Sequence, residues 1–369
     1  MLLPKNMIKN KLNYNEGLVL YGLVKYPLLN DRELADKLKL KMTTVTAIKN
    51  RLKRNEYYST VRVPILRPHE IELFTVILIK FSANIPENDL VKKLDPLIEN
   101  IPEFFYGGLE GGSAFGLGFA QNYSELTKTI EQLSKSVRGE GYVENVVPPM
   151  KHLAIFPLKN AVFFNFFDFS SIIKNNYKIK IKDEPEDKLQ SLPKPKDMNL
   201  TTIEKRVLYG LVNYPELPDS KIADKINVTR QVISKLKKMF EEEGLIKTIK
   251  IPDLEKLGFE ILVLAINNHN PLTPMDKRMK GIELVRSKLP IIFLISTNLE
   301  SFAMAPARNF VELQDLKNEV LKFYKKEKFF ITEPVIHMYS ISNMTFARSH
   351  YYGALIKKIY KIEDSDLNE

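Results

Sequence analysis

The stretch VLYGLVKYP at residues 19–27 decides the fold, because it returns as VLYGLVNYP at residues 207–215. The offset is 188 residues and holds without a gap from 19–64 to 207–252, with 13 of the first 19 aligned positions identical. Solenoid repeats are much shorter, at roughly 20–50 residues. The chain therefore carries a duplicated set of domains, and the structure of the repeated unit indicates its function.

The first part of each repeat has the pattern of three helices and a strand. Apolar positions at helical spacing predict helices over 15–26, from a cap at Asp31, and from about Thr43 to Arg54, and the alternating residues 57–63 predict a strand. The second copy predicts a helix over 204–214, helices capped by Asp219 and Thr229, and a strand over 247–251. This order predicts a winged helix-turn-helix, in which the third helix is placed to enter a major groove.

The second part of each repeat predicts an α/β sandwich. In the first copy, strands over 72–81, 103–109, 113–120 and 142–155 alternate with helices over 86–100 and 124–137. The second copy repeats that order with elements over 260–266, 277–289, 291–296, 301–307, 311–326 and 330–341. The order βαββαβ is the ferredoxin-like pattern. The predicted fold class is therefore α+β, a tandem repeat of a winged helix-turn-helix followed by a ferredoxin-like βαββαβ sandwich.

The predicted domains follow from these patterns. They are a first winged helix-turn-helix, a first ferredoxin-like domain, a charged and proline-containing linker, the same two domains again, and an acidic tail, over 1–67, 68–173, 174–199, 200–255, 256–362 and 363–369.

The charge of the chain is concentrated on the first helical module. The net charge is +10 overall, and residues 1–67 hold 14 Lys and Arg against 5 Asp and Glu. The equivalent residues 199–256 hold 11 against 9. A basic surplus on one module indicates a polyanionic partner, although lysine enrichment is also typical of thermophile surfaces.

The exposed faces of the two third helices, with the wings, form the predicted DNA-binding site. Threonine, serine, asparagine and glutamine can contact base edges, whereas lysine and arginine contact phosphates or guanine. The predicted DNA-binding residues are Lys41, Thr43, Thr46, Ala47, Lys49, Asn50, Arg51, Lys53, Arg54, Arg62, Thr229, Arg230, Gln231, Ser234, Lys235, Lys238 and Lys250.

These motifs resemble those of the Lrp/AsnC (leucine-responsive regulatory protein) family of transcription regulators. The most specific stretches are IADK at 222–225, VTRQVI at 228–233 and EGLI at 243–246. The resemblance implies a fused dimer, in which two DNA modules and two sandwiches pair within one polypeptide. It implies a DNA-binding transcription regulator of archaeal style that is not an enzyme and whose partner is double-stranded DNA. RNA polymerase or initiation factors, a small-molecule effector of the sandwiches, and a second copy of the chain are further candidate partners.

Two alternatives remain open from the sequence. The helical modules could dock on proteins of the transcription machinery. The chain could also be an enzyme, because siroheme decarboxylases of haem biosynthesis look similar to this family and use a paired, Lrp-like scaffold. For that enzyme, the candidate residues are His152 and His337, which the sequence places at matching positions of the two copies.

Other features predict little chemistry. The chain has no cysteine, which excludes a disulfide framework and fits a cytoplasmic location. We expect no metal site and no cofactor. The glycine-rich stretch 107–118 predicts a β-hairpin, because no phosphate-binding ending follows it. The aromatic run 163–169 predicts packing between the sandwiches rather than base stacking.

Overall fold

The computed structural model describes residues 12–66, 71–81, 86, 88–92, 101–139, 150–181, 199–363, 365 and 367. This part of the chain is mixed α/β and contains one two-stranded and two five-stranded sheets, with antiparallel pairing throughout. None of its helices is both long enough and apolar enough to cross a membrane. The predicted cytoplasmic location stays a prediction.

The chain begins with three helices and a strand: α1 (Tyr14–Lys25), α2 (Asp31–Leu38), α3 (Met42–Arg54) and β1 (Tyr58–Pro64). The predicted apolar stripe of α3 is buried, at Val45, Ile48 and Leu52. The predicted cap of α2 was wrong by one residue. Asn30 accepts hydrogen bonds from the first turn, and Asp31 is the first helical residue.

The elements of the first predicted sandwich and of the segment after it follow. They comprise β2 (Leu73–Lys80), β3 (Phe104–Glu110), β4 (Ser113–Ala120), α4 (Tyr123–Gly139), β5 (Met150–Pro157), β6 (Val162–Phe166) and α5 (Ser170–Asn176). Of the helix predicted over 86–100, residues 88–92 are helical, and 93–100 lie outside the described residues. The start of the strand predicted over 142–155 and most of the predicted linker also lie outside them.

The second copy repeats these elements in the same order. It comprises α6 (Thr202–Asn213), α7 (Asp219–Lys225), α8 (Arg230–Glu242), β7 (Ile246–Pro252), β8 (Ile261–Asn268), α9 (Met275–Lys288), β9 (Phe293–Ser296), β10 (Glu300–Ala307), α10 (Phe310–Glu327), β11 (Val335–Ser340), β12 (Thr345–Arg348) and α11 (Gly353–Tyr360). Thr229 caps α8, as predicted. Asp219 was predicted to cap α7, but it is the first residue of that helix. Pro218 occupies the N-cap position.

The two predicted wing strands pair with each other. β1 and β7 form an antiparallel ribbon from Tyr58 opposite Pro252 to Pro64 opposite Ile246. Val61 lies opposite Ile249, its own equivalent in the second copy. A pseudo-twofold axis therefore passes through this pair, and the wings join the two halves instead of projecting from them.

Each five-stranded sheet contains one strand from the other half of the chain. The first sheet has the order β12-β3-β4-β2-β5, and the second has the order β11-β8-β10-β9-β6. β6 leaves the first half to pair with β9, and β12 leaves the second half to pair with β3. The helices that follow return to their own halves, where α5 packs on α1 and α11 packs on α6.

The main core lies between the two sheets and is rich in phenylalanine. The ring of Phe74 from the first half stacks on that of Phe293 from the second, with centroids 5.3 Å apart and planes at 27°. Phe163 and Phe166 on the exchanged strand β6 contact the same Phe293 ring. The packing predicted for the aromatic run is therefore confirmed.

Candidate functional site

A cavity of about 890 Å³ lies in the second half, between one face of the sheet and helices α9 and α10. This volume is in the range of small-molecule sites. Its floor is made of small residues, since Ala265 on β8 lies opposite Ala303 on β10. Beside them, the Asn267 side chain donates a 3.1 Å hydrogen bond to the Ser301 hydroxyl.

The walls of the cavity are mostly apolar. Helix α9 contributes Ile282 and Val285, the residue after it contributes Leu289, and α10 contributes Leu313 and Val320. The exchanged strand closes one end with residues 162 and 164, so both halves of the chain build this site.

Apolar side chains occupy the equivalent face of the first half. At the offset of 188, Ile77 takes the place of Ala265, Ile79 that of Asn267, and Phe81 that of His269. Ile77 and Phe81 are buried, and a cavity of about 60 Å³ remains among the described residues there. Among the described residues, the second half therefore has a cavity of about 890 Å³ and the first half one of about 60 Å³ on the equivalent face.

Positive charge lines the polar side of the cavity. Arg278, Lys317, Lys325 and Lys328 all border it. Lys325 forms a 3.5 Å ion pair with Glu333. The first half has Leu90 where Arg278 stands and, aligned from Asn122 and Asn309, Ile130 where Lys317 stands. At two positions, an apolar residue of the first half thus corresponds to a cationic residue beside the cavity of the second half. These positive charges favour an anionic ligand.

His269 lies in the cavity wall beside these cations. It follows β8, and its ring centroid is 5.8 Å from that of Phe330. Burial, and secondly the charge of Arg278, lower the pKa of His269 to about 4. The imidazole is therefore neutral at pH 7 and keeps one nitrogen lone pair for a metal or a proton.

The histidines predicted for an enzyme lie elsewhere. His152 is opposite Leu78 and His337 is opposite Leu264, and both leucines belong to the core between the sheets. Cross-strand partners project from the same face of a sheet, so both histidines face away from the helices that cover the cavity. They are not equivalent either, because Leu264 corresponds to Val76 and not to Leu78.

The DNA-binding residues predicted on α3 are partly engaged within the chain. The Asp31 carboxylate accepts hydrogen bonds from Thr46 and Lys49, at 2.7 and 2.6 Å. Arg51 pairs with Glu16, and Lys53 lies 3.3 Å from Glu216. The remaining predicted residues of this helix and its cap are exposed, namely Lys41, Thr43, Ala47, Asn50 and Arg54.

The predicted residues of the second copy are also partly engaged. Ser234 donates to Asp219 at 3.0 Å, and Lys238 lies 3.7 Å from Glu242. Thr229, Arg230, Gln231 and Lys235 are exposed.

The two predicted wing cations make contacts within the chain, where Arg62 is buried and Lys250 is half-buried. The Arg62 side chain is 5 % exposed and donates to the Leu211 carbonyl at 3.1 Å. Lys250 donates to the Thr60 hydroxyl at 2.8 Å, and burial lowers its pKa to about 8. Their side chains fill the junction between the halves.

Comparison with known proteins gives a fold for the whole chain. No family model matches the sequence, and no curated protein matches it significantly. The siroheme decarboxylase NirDL is similar in structure, with a TM-score of 0.50 and 10 % identity over 94 % of this chain and 98 % of that chain. Its complex with an iron-uroporphyrin III analogue has a TM-score of 0.49 over the same shares. A transcriptional regulatory protein of the AsnC family from Pyrococcus furiosus has 20 % identity and a TM-score of 0.29, over 40 % of this chain and 89 % of that chain.

These comparisons correct the function predicted from the sequence. The similarity that extends over nearly the whole chain is to an enzyme. The expectations of a DNA-binding regulator, of a chain that is not an enzyme, and of double-stranded DNA as the partner are contradicted. The physical reason lies partly in the wings, whose pairing turns predicted DNA-binding groups into contacts between the halves. An affinity with the Lrp/AsnC-like fold is supported, but the regulatory role is not.

The cavity residues were missed, although the sequence contains the signal for them. Comparing the copies at the offset of 188 shows apolar residues at 77, 79, 81 and 90 replaced by Ala265, Asn267, His269 and Arg278. When a sheet face is apolar in one copy and small, polar or charged in the other, the second copy is expected to have a cavity where the first has a packed core.

Proposed function

We propose that this chain is an iron-tetrapyrrole-binding enzyme of the siroheme decarboxylase type, with one site per chain, in the second half. We further infer that its fold is a tandem repeat of winged helix-turn-helix and ferredoxin-like domains, divided as the sequence predicts except that β6 and β12 each belong to the sheet of the other half. The observation that supports this proposal is the large cavity of the second half. Its residues Arg278, Lys317 and His269 have apolar counterparts in the first half.

The chemistry of a tetrapyrrole matches this cavity. The macrocycle is a flat, largely apolar disc whose edge carries carboxylates. The aliphatic walls would pack against the disc, and the cationic side would face its carboxylates. The small side chains of Ala265 and Ala303 leave the width that a flat ring needs.

His269 is the candidate residue for contact with the iron of the substrate. A neutral imidazole is a common ligand of iron, and the lowered pKa of His269 keeps it neutral well below pH 7. Decarboxylation breaks the bond between a carboxylate carbon and its side-chain carbon. The electron pair left on that carbon delocalises into the macrocycle before a proton replaces the lost CO₂. Apolar walls would exclude water and so strengthen the electrostatic contacts that hold the substrate.

A titration of the full chain with iron uroporphyrin III tests the proposal. We expect the Soret band to shift and to saturate at one equivalent per chain. With a siroheme-type substrate, we expect loss of CO₂, detected as the matching mass change of the tetrapyrrole.

Two variants sharpen the test. His269→Phe introduces the residue of the first half and should abolish the Soret shift that comes from iron ligation. His152→Ala, which removes a histidine on the opposite face of the other sheet, should bind as the unchanged chain does. The proposal is wrong if the chain leaves the Soret band unchanged, or if His152→Ala and His269→Phe lose the shift equally.

A further inference from the structure

We propose that Arg278 is the specificity-determining residue of this cavity, and that it captures a carboxylate of the ligand by releasing two carbonyls of the loop at the mouth. The inference rests on the proposed function and deepens it. It assigns the recognition of the anionic ligand to one side chain and predicts a local change in the protein when that side chain is occupied.

The guanidinium of Arg278 is held by backbone carbonyls. It lies in the first turn of α9, where Nε donates to the Thr273 carbonyl at 3.2 Å and Nη2 donates to the Asn270 carbonyl at 2.9 Å. Within the described residues, no carboxylate lies at ion-pair distance from it. A guanidinium binds a carboxylate through two parallel N–H bonds, and the two loop carbonyls occupy its Nε and Nη2 edge, so a carboxylate that uses this edge must take their place.

Among the described residues, no carboxylate pairs with this positive charge. Burial alone lowers the pKa of Arg278, which reflects the cost of placing the charge in an apolar wall. A ligand carboxylate would remove that cost. Hydrogen bonds to a charged acceptor are roughly twice as strong as those to a neutral carbonyl. A carboxylate that reaches Arg278 should therefore displace the carbonyls of the loop.

The loop that Arg278 holds has few other contacts. In the segment Asn270–Pro274, the Thr273 amide donates to the Asn270 carbonyl at 3.0 Å, and the Leu272 amide donates to the Asn270 side chain, also at 3.0 Å. The Leu272 side chain is 86 % exposed. The Asn270 amide donates to the Phe329 carbonyl at 2.7 Å, which anchors the start of the segment independently of Arg278. Release of Arg278 should therefore loosen residues 272–273 and leave residue 270 in place.

The first half provides the matched substitution. Leu90 occupies the equivalent position and is 1 % exposed within an apolar cluster. The Arg278→Leu variant therefore introduces a side chain that the first half already accommodates at the equivalent position. Arg278→Lys keeps the charge but loses the planar fork that binds a carboxylate through two parallel bonds.

Binding measurements with two ligands isolate the carboxylate. The full chain and both variants are titrated with iron uroporphyrin III and with the same iron porphyrin whose carboxylates are converted to carboxamides. For the carboxylate form, Arg278→Leu should weaken binding by about ten-fold to a hundred-fold, and Arg278→Lys by an intermediate factor. For the carboxamide form, both variants should bind within about two-fold of the unchanged chain, because no charge-assisted bond is lost.

Equal losses for the two ligands would overturn the proposal, since they would show that Arg278 acts by packing alone. Failure of the proposed function has a different signature, because the unchanged chain would then bind neither ligand.

Hydrogen exchange tests the release of the loop. In the unchanged chain, the carboxylate ligand should accelerate exchange at the amides of Leu272 and Thr273, and the carboxamide ligand should not. Free Arg278→Leu should already exchange faster at both amides. If the carboxylate ligand slows exchange at residues 272–273, or leaves it unchanged, the loop is not released and the proposal fails.

Discussion

Filling the floor of the cavity should stabilise the fold and block the ligand at the same time. Ala265→Ile introduces the side chain that Ile77 already provides in the first half, where it is 1 % exposed. Isoleucine adds three carbon groups, and burial contributes roughly 0.8 kcal/mol for each, so the free energy of unfolding should rise by about 2.4 kcal/mol at most. The same atoms would occupy the space above Ala303, so binding of an iron porphyrin should weaken at least about ten-fold, or about 1.4 kcal/mol.

Urea unfolding and Soret titration measure the two effects on the same samples. The mirror variant Ile77→Ala is the control. It should destabilise the chain by about 2–5 kcal/mol, because it empties a packed site, and it should leave ligand binding unchanged. The reasoning is refuted if Ala265→Ile lowers the urea midpoint as an overpacked core does, or if it leaves binding intact.

Three further predictions follow from buried groups. The pKa of His269 is lowered to about 4 from an unfolded value near 6.5, so stability that is present above pH 6.5 is lost as pH falls toward 4. In urea unfolding, His269→Phe should lose less stability across that range, and an equal loss would contradict the assignment. The pKa of Lys250 is lowered to about 8 from 10.5, chiefly by burial, so stability should increase as pH rises from about 8 to 10.5. In thermal melts, Lys250→Met should flatten that increase, and an unchanged slope would contradict this prediction. Phe293 is fully buried between the sheets, so Phe293→Ala should cost about 3–5 kcal/mol in urea unfolding, whereas exposed Phe310→Ala should cost less than about 0.5 kcal/mol.

Local patterns in the sequence predicted most of the elements, because short-range physics determines them. The apolar stripes of α3 and α8 are buried as predicted, and strand β4 spans the predicted residues 113–120. Alternation predicted the wing strands, since a half-buried strand needs it. Nothing local predicts that β1 pairs with β7, because that contact joins residues almost 190 positions apart and depends on how the two halves meet.

The exchanged strands were missed for a related reason. The aromatic run was correctly assigned to packing, but Asn165 and Asp168 interrupt it and hide a strand pattern. Asn165 donates to the Ile291 carbonyl at 2.8 Å, so its partner lies in the other half of the chain.

The equivalence predicted for His152 and His337 was wrong because the offset between the copies changes along the chain. It is 188 in β2 and β8, 187 between β4 and β10, and 183 between β5 and β11, whereas the two histidines are 185 apart. Sequence similarity at one or two positions could not detect these shifts, but strand register does. The same register places His152 and His337 on the sheet faces away from the cavity, so His269 becomes the candidate residue in their place.

The reciprocal exchange of β6 and β12 makes the connection between the halves dispensable for holding them together. Each sheet keeps a strand that belongs to the other polypeptide segment, and the ribbon of β1 and β7 joins them a third time. A protease cut between Ile181 and Asn199 would produce two pieces that remain interlocked, and they would separate only when a sheet loses a strand. The nicked protein should therefore run as one particle under native conditions and as two in denaturant. Such a result would make the duplicated chain equivalent to a dimer whose two subunits are covalently joined.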